Sequence, residues 1–342
     1  MTGKKWLVGL LFISILLVLA IGLFNYYIDV NGLKSNHNKF SKYICVNTDT
    51  LVSKKLNSNA KYFLVGTSRV ERINPLLVEK YVGEHTSNAS ISGSSLEQNT
   101  LLVKKIKREK KNFIYGFDAF SLNETTYQEA NNQQRLAELH DTIDDDSLFF
   151  YLQFDTFIDG MSSLLKDILN MDREAYLHKQ DSTDYKLSID HIKSKLDYEN
   201  KQKGKLFSNY KAYSNKKVAT LAALADKDDM FIIYPKFIAH YVFFQNKQEI
   251  EKQYFNAIRT LVNNTEAKVW SFYQKSNITE ESKNFDKDGW HFKPMIAKLM
   301  FKRIFSKENN NSLNFGLELT KDNIDAYLEN LHHDIRKFQE ES

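Results

Sequence analysis

Apolar positions are arranged along this chain in two ways, and the first is a single long block. Leu7 to Phe24 contains no charged residue, which makes it long enough for a helix that crosses the hydrocarbon of a bilayer. Lys4 and Lys5 precede it, Trp6 stands at one end and Tyr26 and Tyr27 at the other, where amphipathic rings favour the membrane interface. The expectation is an uncleaved anchor over residues 1–30. A cleaved signal peptide is the alternative, with Ala20 and Gly22 imitating a small-residue cleavage site, although its apolar region would normally span only about 7–15 residues. A buried core helix is the third option. Lysines flank the block on both sides, Lys34, Lys39 and Lys42 following it, so charge alone does not orient it.

Elsewhere the apolar residues come in short runs bounded by turn formers. Tyr62-Phe63-Leu64-Val65, Asn112-Phe113-Ile114-Tyr115, Met230-Phe231-Ile232-Ile233-Tyr234 and Val269-Trp270-Ser271-Phe272 have the continuous apolar character of strands buried on both faces. A weaker strand falls between His85 and Ile91. Helical spacing intervenes at Pro75–Tyr81, Leu96–Ile106 and Lys216–Ala225 and closes the series at Pro294–Phe305. Strands alternating with helices predict an α/β domain over about 31–310: a three-layer α/β/α sandwich around a parallel, doubly wound sheet.

The rhythm breaks after Asn123. Phe150, Phe154, Phe157, Ile158, Met161 and Leu165 recur at helical spacing, predicting a helix that packs one face. Asp144, Asp145 and Asp146 stand where they favour its positive end. The polar residues that follow, to about Lys205, complete a helical insertion over about 123–215. Residues 311–342 end in an amphipathic helix, with Ile324, Leu328, Leu331 and Ile335 on one face and Thr320 as its expected N-cap.

Composition narrows the class. With 24 Phe and 18 Tyr in 342 residues, a large core can be buried. A formal charge of +4, spread over 47 basic and 43 acidic residues, gives no footprint for nucleic acid. Cys45 is the single cysteine, so no intrachain disulfide forms. The basic run Lys104–Lys111 reads as a solvated helix face, or as a contact for anionic lipid or an acidic polymer. His332-His333 lacks neighbours at metal-ligand spacing, and no metal site is expected there. Tyr234-Pro235-Lys236 reads as a turn or as one wall of a pocket.

Two short segments carry chemistry. Gly66-Thr67-Ser68-Arg69 follows the first strand and precedes a helix, the end of a parallel sheet where such folds place ligands. Ser68 there is a candidate nucleophile, or the turn caps the helix or holds an anion. Asp286-Lys287-Asp288-Gly289-Trp290-His291 precedes the last helix of the α/β series. His291 can accept a serine proton while Asp288 fixes its tautomer, or it is an ordinary surface histidine.

Taken in order, these segments resemble the SGNH (GDSL-like) hydrolase and acyltransferase superfamily over about residues 58–306. In that family the nucleophile follows the first strand and an Asp-x-x-His precedes the last helix, matching Ser68 and Asp288-Gly289-Trp290-His291. Asn88–Ser94 is similar to the family's second block, with Gly93 at the oxyanion-binding glycine. Tyr115-Gly116-Phe117-Asp118 is similar to the third, with Asp118 where the family carries an oxyanion asparagine. The resemblance implies a catalytic triad of Ser68, His291 and Asp288, an oxyanion hole at Gly93 and Asp118, and no cofactor. Two departures stand out: Gly66-Thr67-Ser68 replaces Gly-Asp-Ser, and an ionised Asp118 cannot donate a hydrogen bond to an oxyanion.

The anchored architecture also resembles the D-alanyl transfer protein of lipoteichoic acid modification and the alginate O-acetylation proteins. That likeness implies a domain outside the cytoplasmic membrane acting on an acylated cell-envelope polysaccharide or glycolipid, with a membrane-bound O-acyltransferase and the lipid bilayer as partners. A non-catalytic binding or assembly subunit on the same fold is the alternative. An anion-binding phosphate protein ranks below both, since no Gly-x-x-x-x-Gly-Lys loop is present.

Overall fold

The computed structural model of the chain describes residues 3–34, 37, 49–124, 129–143, 151–170, 194, 210–305 and 315–341. Helix α1 (Gly3–Ile28) contains the apolar block. Its span Lys4–Ile28 is long and apolar enough to cross a membrane, and none of its most apolar window is buried by the rest of the chain. That exposure removes the core-helix option and fits either an anchor or a signal sequence. Cys45, Phe150, the Asp144–Asp146 patch and most of the polar insertion lie outside the described residues.

The domain then runs α2 (Asp49–Leu56), β1 (Tyr62–Val65), α3 (Ser68–Glu71), α4 (Pro75–Val82), β2 (Thr86–Asn88), α5 (Leu96–Arg108), β3 (Asn112–Phe117), α6 (Glu129–Thr142) and α7 (Phe154–Ile168). It continues with α8 (Asn215–Ala222), β4 (Met230–Ile233), α9 (Ile238–Gln245), α10 (Gln248–Asn264), β5 (Lys268–Ser271), α11 (Asn277–Glu280), α12 (Pro294–Phe305), β6 (Leu317–Leu319) and α13 (Ile324–Glu341). The six strands form one sheet in the order β2-β1-β3-β4-β5-β6. The first five pair in parallel, the order of a flavodoxin-like doubly wound sheet. An antiparallel edge strand, β6, is added beside β5. The expected sheet was wholly parallel, and β6 escapes notice because it has three residues of which only Leu319 is buried.

The sheet forms where the apolar runs stand because helices cover both of its faces. Phe63, Leu64, Val65, Ile114, Tyr115, Phe231, Ile232 and Ile233 are all buried, in-facing and out-facing residues alike. Right-handed crossovers put α4 on one face and α5, α8 and α10 on the other. The contacts agree: α4 meets α12, and α8 bridges α5 and α10. Helix α5 starts at a capping box, with Ser95 and Gln98 each accepting the other's backbone N–H. Helix α13 packs on α9 and α10 through Ile324, Leu328, Leu331 and Ile335, all buried.

Three local expectations change. Helix α13 starts at Ile324, and Thr320 offers its backbone carbonyl to the N–H groups of Asn323 and Ile324 where a side-chain cap was expected. Helix α7 forms, but Phe154, Ile158 and Leu165 on its apolar face stay exposed, so that face does not pack on the domain. In the basic run, Lys105 pairs with Glu109, Lys107 with Asp226 and Asp229, and Lys111 with Glu109. Those three lysines bind the fold to itself.

Candidate active site

β1 ends at Val65, and the chain turns at Gly66 with φ +146°, a conformation side chains rarely tolerate. A Cβ at Gly66 would also lie 2.6 Å from Val70 Cγ2 and 3.1 Å from the Gly116 carbonyl oxygen. Glycine therefore lets the chain leave the sheet and bring Ser68 to its carboxyl edge. The Gly66 carbonyl accepts from the Ile91 N–H at 2.9 Å and from the Ser94 hydroxyl at 3.2 Å. These two bonds draw the turn that bears Gly93 against the turn that bears Ser68. Among the described residues, no protein acceptor takes the N–H of Ser68 or of Gly93.

From the other end of the chain, the loop after α11 returns to the same edge. Ser68 Oγ lies 2.8 Å from His291 Nε2, and His291 Nδ1 lies 2.5 Å from Asp288 Oδ2. Asp288 Oδ1 accepts from the N–H groups of Trp290 (2.8 Å) and His291 (3.0 Å). Burial alone would raise the Asp288 pKa. The hydrogen bond and charge of His291, with those two N–H groups, outweigh it and hold the carboxyl well below its ordinary range. An ionised Asp288 fixes the proton on Nδ1 and leaves Nε2 as an acceptor facing the serine hydroxyl.

The loop is fastened from behind. His240 Nε2 donates to the Asp288 carbonyl at 2.8 Å, the Phe237 N–H to the Gly289 carbonyl at 3.0 Å, and Arg72 pairs with Asp286 at 2.7 Å. Burial, and then the positive charges of Lys236 and Arg69, push His240 down to about 3 against the bond to Asp288. It is therefore a neutral donor at physiological pH, its ring tilted 38° against that of Trp290 at a centroid separation of 3.8 Å.

Asp118, which the resemblance puts at the oxyanion hole, is engaged by four neighbouring donors. Its carboxylate accepts from Thr67 Oγ1 (2.8 Å) and from the N–H groups of Phe120 (2.7 Å) and Ser121 (3.1 Å). It also pairs with Arg69 Nη1 at 2.8 Å, both side chains being buried. Burial favours the neutral acid, but Arg69 and Lys236, then Thr67 and Ser121, prevail and keep the pKa below its ordinary value. Asp118 thus has no proton to offer an oxyanion. It holds Arg69, whose Nε donates to the Trp290 carbonyl at 3.2 Å, one residue before His291. The residue after Ser68 is in this way tied to the residue before His291.

Further residues surround the site. Lys236 is 1% exposed, its Nζ without a hydrogen-bond partner among the described residues and caged by Phe244, Trp290, Tyr273 and Tyr254 at 4.7–5.4 Å from the ring centroids. Burial and the Arg69 charge push its pKa well down, with Asp118 opposing. The segment at Tyr234-Pro235-Lys236 is therefore interior. Glu71, at the end of α3, feels the charge of His291, and burial raises its pKa. Spacing marks Lys236 only as part of a turn or pocket wall, with no sign of its burial, and Glu71 sits in no motif. His332 is a structural partner of Glu251 at 3.0 Å.

Compared with known proteins, the sequence matches no family model and no curated protein. The α/β domain with its mostly parallel sheet is established by the fold alone.

Proposed function

We propose that the chain is a serine esterase or O-acyltransferase of the SGNH type. The observation that carries this is the unbroken line of hydrogen bonds from Ser68 through His291 to Asp288. Ser68 Oγ attacks the carbonyl carbon of an ester while His291 Nε2 takes its proton. The tetrahedral intermediate collapses as His291 returns that proton to the leaving alcohol, and water or an acceptor hydroxyl then releases the acyl group from Ser68. The N–H groups of Ser68 and Gly93 receive the oxyanion. The order of segments, similar to the SGNH superfamily, supports the same reading. So does α1, which as an anchor would hold the domain at the outer face of the cytoplasmic membrane, beside an acylated envelope glycan and a membrane-bound O-acyltransferase.

The test is p-nitrophenyl acetate hydrolysis by the full chain and by Ser68→Ala, with a serine-reactive fluorophosphonate as a second probe. The expected result is hydrolysis and labelling that both disappear in the variant. Equal rates and absent labelling favour a binding or assembly subunit, a role supported by the Arg69–Asp118 pair in place of a side-chain oxyanion donor.

A further inference from the structure

Helix α7 has a divided surface. Phe154, Ile158, Leu165, Ile168 and Leu169, within and just past the helix, fall on one stripe at helical spacing and are 50–69% exposed. Asp155, Asp159, Ser163, Lys166 and Asp167 lie off that stripe, on another side of the helix. A soluble domain rarely leaves such a stripe open to water. Its position explains it. Asn25, near the end of α1, donates to the Tyr151 and Gln153 carbonyls at 2.6 and 3.1 Å, which fixes the entry into α7. Phe157 meets Phe24 edge to face with ring centroids 4.9 Å apart. Gly160 lies so close that a Cβ would stand 2.8 Å from Phe24 Cε1. Helix α7 therefore begins alongside the last turns of α1, at the level of Tyr26 and Tyr27, whose exposed rings mark an interface.

We infer that α7 lies in the membrane interface with its apolar stripe in the acyl chains, making a second, in-plane contact of the domain with lipid. This rests on α1 being a membrane helix. The alternation of one apolar and one charged face along α7 is that of an interfacial helix. Its charged side carries three aspartates and one lysine, so insertion is driven by apolar area and requires no anionic lipid.

The test uses the full chain, with Cys45→Ser, in phosphatidylcholine nanodiscs. Ile158→Cys, Leu165→Cys, Asp155→Cys and Leu16→Cys each carry an environment-sensitive fluorophore. Nitroxide-labelled lipid and aqueous iodide serve as opposing quenchers. Labels at 158 and 165 should be quenched by lipid at least about twofold more than the label at 155, and by iodide correspondingly less. The contrast should persist at high salt. If Leu16 reports lipid while 158 and 165 report water, α1 is an anchor and the inference about α7 is wrong. If 158 and 165 are shielded from both quenchers, a protein covers the stripe and the inference is likewise overturned. If Leu16 itself reports water, the anchor fails and the α7 contact fails with it.

Discussion

Replacing Asp118 with asparagine separates two accounts of that position. As an oxyanion donor, an amide at 118 would improve catalysis. As the counter-ion of Arg69, its loss leaves a buried arginine, 4% exposed, without its charge partner. Thr67 Oγ1 and the N–H groups of Phe120 and Ser121 also donate to this carboxylate, and an amide there could accept with one oxygen only. Breaking a buried pair from one side costs about 3–5 kcal/mol, which at roughly 2–4 °C per kcal/mol lowers the melting temperature by roughly 6–20 °C. The sign with pH follows from the depressed Asp118 pKa. The stability it supplies is complete above its unfolded value near pH 4 and is lost as pH falls through the folded value. The gap between wild type and Asp118→Asn should therefore be widest at neutral pH and narrow below about pH 4. Thermal and urea melts across pH, with ester turnover in parallel, measure both properties. A variant of unchanged stability and faster turnover would refute the clamp. Arg69→Gln combined with Asp118→Asn should recover part of the loss, because the unpaired charge is gone.

Asp288→Asn should lower ester turnover by about 10⁴-fold with the fold intact, since an amide oxygen no longer enforces the Nδ1–H tautomer; kcat for the two proteins, with circular dichroism beside it, checks this. Gly66→Ala should destabilise by roughly 2–5 kcal/mol in urea, combining backbone strain with the Val70 clash. Lys236 is uncharged more readily in the fold than in the unfolded chain, so the unfolded state binds more protons and stability rises with pH by up to about 1.4 kcal/mol per unit below the unfolded pKa. Lys236→Met should flatten that rise, which runs from the folded pKa up to the unfolded one, and gain most over wild type at the acid end; urea melts across neutral and alkaline pH decide it.

Strands β1, β3, β4 and β5 are readable in the sequence because burial on both faces demands apolar residues without a break. β6 and α2 are not: the first has three residues, and the second is a short helix set in a polar stretch, with little periodicity to find. The insertion shows the limit differently. Its helical period is plain, but a period reveals only that a face is apolar, and α7 turns that face away from the domain. At the site, Ser68, Asp288 and His291 stand out because they follow a strand or precede a helix in an expected order. The Arg69–Asp118 pair is half legible, since a carboxylate at 118 invites a cation. Lys236, His240 and Glu71 owe their character to side chains that only the finished fold brings near them.

The bond between Ser68 and His291 joins residues 223 positions apart, with all the strands of the parallel sheet after β1 between them. A chain emerging from its amino end carries its hydroxyl long before it has a base to go with it. Its reactivity toward esters would then switch on only once β5 and the loop after it have docked. Recovery of turnover during refolding would thus time the docking of that loop, without any added probe.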